Sequence, residues 1–142
     1  MIAVLTKPAD RFDTSDIQAL IDESVPEGAQ IEFKERLPAK DSGDPDPWMQ
    51  GDGKIGDRAR NEILEEVVAF ANAYGGALVL GVAEDGAKPL VAAGVAPLPR
   101  CADLAARFRQ VFGTCIDPPL PTLDIVSVPT VDDSGVIVFR TG

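Results

Sequence analysis

The stretch NEILEEVVAFANAYGGALVLGVAEDG, residues 61–86, constrains the fold more than any other part of the chain. Ile63, Val67, Phe70, Ala71 and Tyr74 recur at the 3.6-residue spacing of a helix with one apolar face. Glu62, Glu65 and Glu66 fall on the other side, in the half of the helix where its dipole tolerates negative charge. The pattern predicts a helix over 58–74. Gly75 supplies a left-handed C-cap and Gly76 continues the turn. Residues 77–82 are an unbroken apolar run, which predicts a central strand buried on both faces. Glu84-Asp85-Gly86 is expected to end that strand as an acidic turn.

The flanking patterns supply the other elements. Thr14 or Ser15 is placed to cap a helix over 15–24, with Ile17, Leu20 and Ile21 as its apolar stripe, and Pro26 and Gly28 break it. Residues 30–35 alternate: Ile31 and Phe33 share one face, Glu32 and Lys34 the other, as in a half-buried strand. A helix over 102–114 buries Leu104, Phe108, Val111 and Phe112 and is stopped by Asp117-Pro118-Pro119. Strands over 123–128 and 136–140 come next, joined by a turn containing Asp132-Asp133-Ser134-Gly135. The order after the first helix is β-α-β-α-β-β. It predicts an α+β two-layer sandwich, a mixed four-stranded sheet with two helices packed on it, plus an N-terminal helix. One domain is expected over 15–142, after an extension at 1–14. Residues 37–57 carry Pro, Gly and Asp without periodicity and are expected to form a flexible loop, with Trp48 either tacking it to the surface or stacking on a base.

Composition removes several chemistries. There is no histidine, so His-based acid/base catalysis, Ser-His triads and His-ligated zinc are excluded. Cys101 and Cys115 lack metal-type spacing and suit a reducing, cytoplasmic setting. No apolar run approaches the length of a membrane span, and the N-terminus has no signal-peptide pattern. The net charge of −10 argues against a broad basic face for nucleic acid. Between Lys34 and Arg60, however, six basic residues balance six acids, which leaves room for a local basic patch.

Four short motifs coincide. Glu27 to Lys34 has the form E-x4-E-F-K, and Ala69 to Gly76 has the form A-F-A-N-x-x-G-G. Leu78-Val79-Leu80-Gly81-Val82 is a strand followed by acids, and Ile116 to Leu120 has the form I-x-P-P-L. Together they resemble the Schlafen-type AlbA domain, a divergent branch of the Alba-like nucleic-acid-binding fold, over nearly the whole chain. The resemblance implies a DNA- or nucleic-acid-binding module. In bacteria such a module often precedes an ATPase-like region or a winged helix in transcriptional regulators or ATP-binding proteins. It also implies pairing into a homodimer, as Alba-like domains often show. No ATP-site motif is present here. Domains of the family usually continue past the last strand, which leaves room for this chain to be a fragment of a longer protein.

Some members of the family cleave RNA with three carboxylates, and the resemblance carries those positions to Glu27, Glu32 and Glu84. The chain departs from the pattern after the strand. Ala83 stands where the nucleases have the first Asp of a pair, Glu84 is one methylene longer than their second, and Asp85 is adjacent. Converging carboxylates repel unless a cation or protons neutralise them, and hard ions such as Mg2+ or Mn2+ take oxygen ligands. On this reading Glu27, Glu32 and Glu84 are candidate catalytic and metal-binding residues, and Lys34, Arg36, Lys40, Arg58 and Arg60 are candidate phosphate contacts. Taken singly, each acid also reads as a solvated loop, strand or turn residue, and Asn72, Gly75 and Gly76 as structural. Three functions stay open: a regulatory domain binding DNA or RNA, a divalent-metal-dependent endoribonuclease, and a protein-interaction or sensing module.

Overall fold

The computed structural model describes residues 2–39, 43–86, 89–116, 120 and 122–142. In chain order the elements are α1 (Ala3–Thr6), α2 (Thr14–Asp22), β1 (Ile31–Lys34), α3 (Asp57–Asn72), β2 (Gly76–Leu80), β3 (Val82–Asp85), β4 (Val91–Val95), α4 (Cys101–Cys115), β5 (Leu123–Val131) and β6 (Ser134–Thr141). Four strands form one mixed sheet in the order β1-β2-β6-β5. β1 and β2 run parallel, joined by the crossover helix α3, and the other neighbours are antiparallel. Helices α3 and α4 pack on one face through Ile63, Val67, Leu104, Phe108, Leu78 and Phe139. Phe108 meets Phe139 edge-on, with ring centroids 5.0 Å apart. The α+β sandwich with a mixed four-stranded sheet is the expected one. The opposite face carries a second core, built from Val4, Ile17, Leu20, Ile31, Phe33, Val79 and Val138.

Helix α2 starts one residue earlier than expected, because Asp13 rather than Thr14 or Ser15 caps it. The Asp13 carboxylate accepts from the Ser15 and Asp16 N–H groups, and the Asp16 carboxylate accepts the Asp13 N–H at 2.9 Å. The Asp16 carboxylate also receives the Lys7 ammonium at 2.8 Å, which ties the N-terminal extension to the helix. Val4, within that extension, is fully buried.

Three expectations change. The run 77–82 is not one strand. Gly81, at φ +106°, turns the chain out of the sheet, and a Cβ there would stand 3.2 Å from the Ala96 carbonyl oxygen. Beyond Gly81 the chain forms β3 in place of an acidic turn, and β3 pairs with the unforeseen strand β4 in a separate two-stranded ribbon. Tyr74 does not continue the buried face of α3. The helix ends at Asn72, and Tyr74 swings to φ +71° with its side chain 99 % exposed. The described part of 37–57 is anchored at three buried residues, Leu37, Asp46 and Trp48, with a 3-10 turn at Pro47–Gln50 burying Trp48 to 2 % exposure. The Trp48 indole N–H donates to the Pro99 carbonyl at 2.9 Å, and the Arg100 guanidinium lies 4.1 Å over its ring. A ring so enclosed has no free face for a base. The expected helix stop at Asp117-Pro118-Pro119 lies outside the described residues.

Candidate functional site

The site is assembled at the β1 edge of the main sheet. Strand alternation sends Ile31 and Phe33 into the core beneath α2. Glu32 and Lys34 therefore face the flank of α3, where Glu62 and Glu66 stand one helical turn apart. The Lys34 ammonium lies 3.1 Å from Glu66 Oε2 and 3.6 Å from Glu62 Oε2. Burial by itself would lower the Lys34 pKa. Hydrogen bonding and charge from Glu66, with the charges of Glu32 and Glu62, outweigh it and hold the group above the usual lysine value.

Glu27 is fixed just before β1. Its N–H donates to the Leu90 carbonyl at 2.8 Å, and its Oε2 accepts the Phe33 N–H at 2.9 Å. Glu84 comes from β3, where a register shift between Ala83 and Glu84 interrupts the pairing with β4. Such a bulge re-aims the side chains beside it. It brings Glu84 to Glu27, although they lie 57 positions apart in the sequence.

The electrostatics bind these acids into one system. The Glu32 pKa is pushed up to about 7, first by burial, then by the charge of Glu66 and a hydrogen bond to it, with Glu27 adding and Lys34 opposing. The Glu84 pKa is also pushed up to about 7, by burial and then by the hydrogen bond and charge of Glu27, again opposed by Lys34. Glu84 Oε2 is buried without a hydrogen-bond partner, and protonation of Glu84 removes the charge that burial there disfavours. Glu66 Oε2 is buried as well, 3.1 Å from the Lys34 ammonium. Near neutral pH Glu32 and Glu84 thus both exchange protons with solvent.

Of the three family-derived acids, Glu27 couples to both Glu32 and Glu84, whereas the described candidate cations are taken up by other acids. Lys34 is occupied by Glu62 and Glu66. Arg36 lies beyond the end of β1, 75 % exposed, with Glu35 at 3.5 Å. Arg58 pairs with Glu62 at 3.6 Å and Arg60 with Asp57 at 3.5 Å. Lys40 lies outside the described residues. Asn72, at the end of α3, is exposed. Glu66 is the site residue that the helical pattern hides. The apolar stripe puts it on the outward side of the helix, yet the flank it occupies faces the edge strand. The only signal is that Glu62 and Glu66, four apart, border the buried Ile63 and Val67.

Carboxylate oxygens are the donors that Mg2+ and Mn2+ prefer, and the unpartnered Glu84 Oε2 and the like-charge crowding suit a cation. As placed, no three His, Cys, Asp or Glu side chains among the described residues form a set that could hold a metal ion. The fit is therefore one of donor chemistry and charge, and it would need the side chains to close in. A cavity of about 490 Å³ opens beside the cluster, lined by Glu27, Glu32, Glu66, Ala69, Phe70 and Ala73 among others. Among the described residues no helix is long and apolar enough to cross a membrane.

Comparison with protein families finds one described as Schlafen, AlbA_2, whose model matches residues 27–140. That span begins at Glu27 and includes every acid of the cluster. No curated protein and no solved structure matches the chain.

Proposed function

The chain belongs to the Schlafen AlbA_2 family, and from that premise we propose that it is a nucleic-acid-binding domain that meets the phosphate backbone at its glutamate cluster rather than on a basic face. The observation that supports this reading is that Glu27 couples both to Glu32, in the same β1 segment, and to Glu84, brought in from β3, at one edge of the sheet. The net charge of −10 and the pairing of Arg36, Arg58 and Arg60 with acids leave direct cationic contact a minor part. Glu27, Glu32 and Glu84 are the residues that would hold a divalent cation, which would supply neutralising charge and a more acidic water. Lys34 limits the repulsion within the cluster, and Glu66 holds Lys34 and disfavours ionisation of Glu32. In a longer regulatory protein this edge would be the part that faces DNA or RNA.

Mobility shifts with labelled RNA and DNA, in Mg2+ and in EDTA, test the proposal. Binding should appear in Mg2+ and fall at least about tenfold, roughly 1.4 kcal/mol, in a Glu32→Gln, Glu84→Gln double variant. No shift with either nucleic acid at low salt would sink it and favour a protein-interaction module.

A second reading, an endoribonuclease, is favoured by one specific feature. Glu32 and Glu84, with pKa values near 7, can both release and return a proton at neutral pH, as general acid/base chemistry requires. Incubation with labelled tRNA and Mn2+ should give cleavage that Glu32→Ala abolishes. Cleavage that survives in that variant would rule the site out as its source.

A further inference from the structure

We propose that Tyr74 is a stacking platform for one base of a single-stranded nucleic acid, set between the glutamate cluster and a second cavity that carries Lys7 and Arg140. The inference rests on the nucleic-acid reading above and adds to it a residue, a strand type and a path.

Among the described residues Tyr74 has no packing role, since it is 99 % exposed. It also sits at φ +71°, a backbone region that bulky L-residues rarely adopt and that glycine or asparagine occupies without strain. An isolated exposed aromatic is ordinary on a protein surface. One that the fold neither buries nor conformationally favours calls for another cause.

Its position supplies that cause. Ala73 lines the glutamate cavity, and Tyr74 lines the next one, of about 740 Å³. Ala29 and Gln30 divide between the same two cavities, so these abut along both the approach to β1 and the end of α3. The charged lining changes across that border from acids alone to a mixture of acid and base. The charged residues lining the first cavity are Glu27, Glu32 and Glu66, and those lining the second are Lys7, Asp124 and Arg140. The two cations are held in place: Lys7 by Asp16 at 2.8 Å, Arg140 by the Lys7 carbonyl and by Asp124 at 3.5 Å. These contacts use two of the five guanidinium N–H donors. A strand crossing the border would set one phosphate at the carboxylate cluster, its base against Tyr74 and its next phosphate toward Arg140. Only an unpaired strand offers a free base face to an exposed ring, and stacking of this kind tolerates any base.

Fluorescence anisotropy in Mg2+ with labelled 12-mers tests this, using single-stranded RNA and DNA, a duplex, and a single strand with one abasic residue at each position in turn. Wild type should bind the single strands more tightly than the duplex. Tyr74→Ala should weaken that binding by roughly 5- to 150-fold with its melting temperature unchanged, and Tyr74→Trp should restore it. One abasic position should cost wild type a similar factor and cost Tyr74→Ala nothing. Equal binding by wild type and Tyr74→Ala would overturn the inference and leave the proposed function standing. So would a duplex bound as well as the single strand, or a loss in Tyr74→Ala that no abasic position reproduces. Failure of wild type to bind any of the oligonucleotides would overturn the proposed function, and this inference with it.

Discussion

Asp46 and Glu32 are both carboxylates drawn out of water, one in the segment that anchors Trp48 and one at the edge of the main sheet. Asp46 is the more deeply buried, and each of its oxygens has a donor: Oδ1 accepts the Trp48 N–H at 2.9 Å and Oδ2 the Gly56 N–H at 2.8 Å. Glu32 is met mainly by other acids, Glu66 and Glu27, and by Lys34, which three glutamates share. Burial against backbone donors is a solution to a folding problem. Burial against like charge is unfavourable for the chain alone and makes sense where a proton or a cation completes the arrangement. The contrast separates a structural acid from a candidate functional one more sharply than burial does.

The largest effect should come from the satisfied acid. Asp46→Ala leaves the Trp48 and Gly56 N–H groups without acceptors in the interior and loosens the turn that holds the indole. At about 1–3 kcal/mol for each orphaned group, a loss of about 3 kcal/mol is expected, near 10 °C in melting temperature for a chain of this size. Thermal unfolding measures it, and emission of the sole tryptophan should shift to longer wavelength. Glu32→Ala under the same conditions should cost far less. Equal losses in the two variants would erase the distinction between them.

Much of this arrangement is legible in the residues, and the failures have physical reasons. The periodic stripe through Ile63 and Val67, the alternation at Ile31 and Phe33 and the 123–140 hairpin all report burial on one face, and each element is present. The apolar run at 77–82 conceals the break at Gly81 because burial continues unchanged while the backbone leaves one sheet for another. Tyr74 keeps the helical spacing in the sequence, but the helix ends two residues earlier, and a left-handed residue no longer follows the 100° progression. The segment around Trp48 has no periodicity to read, since side-chain carboxylate and indole bonds to backbone hold it. At the site, E-x4-E-F-K and the acids after the G-V strand point to Glu27, Glu32 and Glu84. Glu66 requires knowing which flank of α3 lies against β1, a fact of packing that no local pattern carries.

A smaller effect, opposite in sign, should come from the acids that lack donors. Glu32 and Glu84 have pKa values of about 7 in the folded chain against 4.5 for the free side chain. Between these values the folded state holds protons that the unfolded state has released. Stability contributed by these two groups is therefore highest below about pH 4.5, falls as pH rises toward 7, and levels off once both states are ionised. Glutamine cannot ionise, and its amide can donate to Glu66 or Glu27 as the protonated acid does. Glu32→Gln and Glu84→Gln should thus match wild type near pH 4.5 and exceed it at pH 8. With solvent screening of these partly exposed groups allowed for, the gain should be about 1 kcal/mol for each, or roughly 3–5 °C. The wild-type-minus-variant difference in melting temperature across pH 4.5 to 8 isolates this contribution from other titrating groups. A difference that stays flat, or that favours wild type at high pH, would mean that the cluster is not strained by its own charge. Mg2+ adds a second arm at pH 8: it should raise the wild-type melting temperature more than that of the double variant, because only the wild type has ionised carboxylates at both positions to gain from a cation.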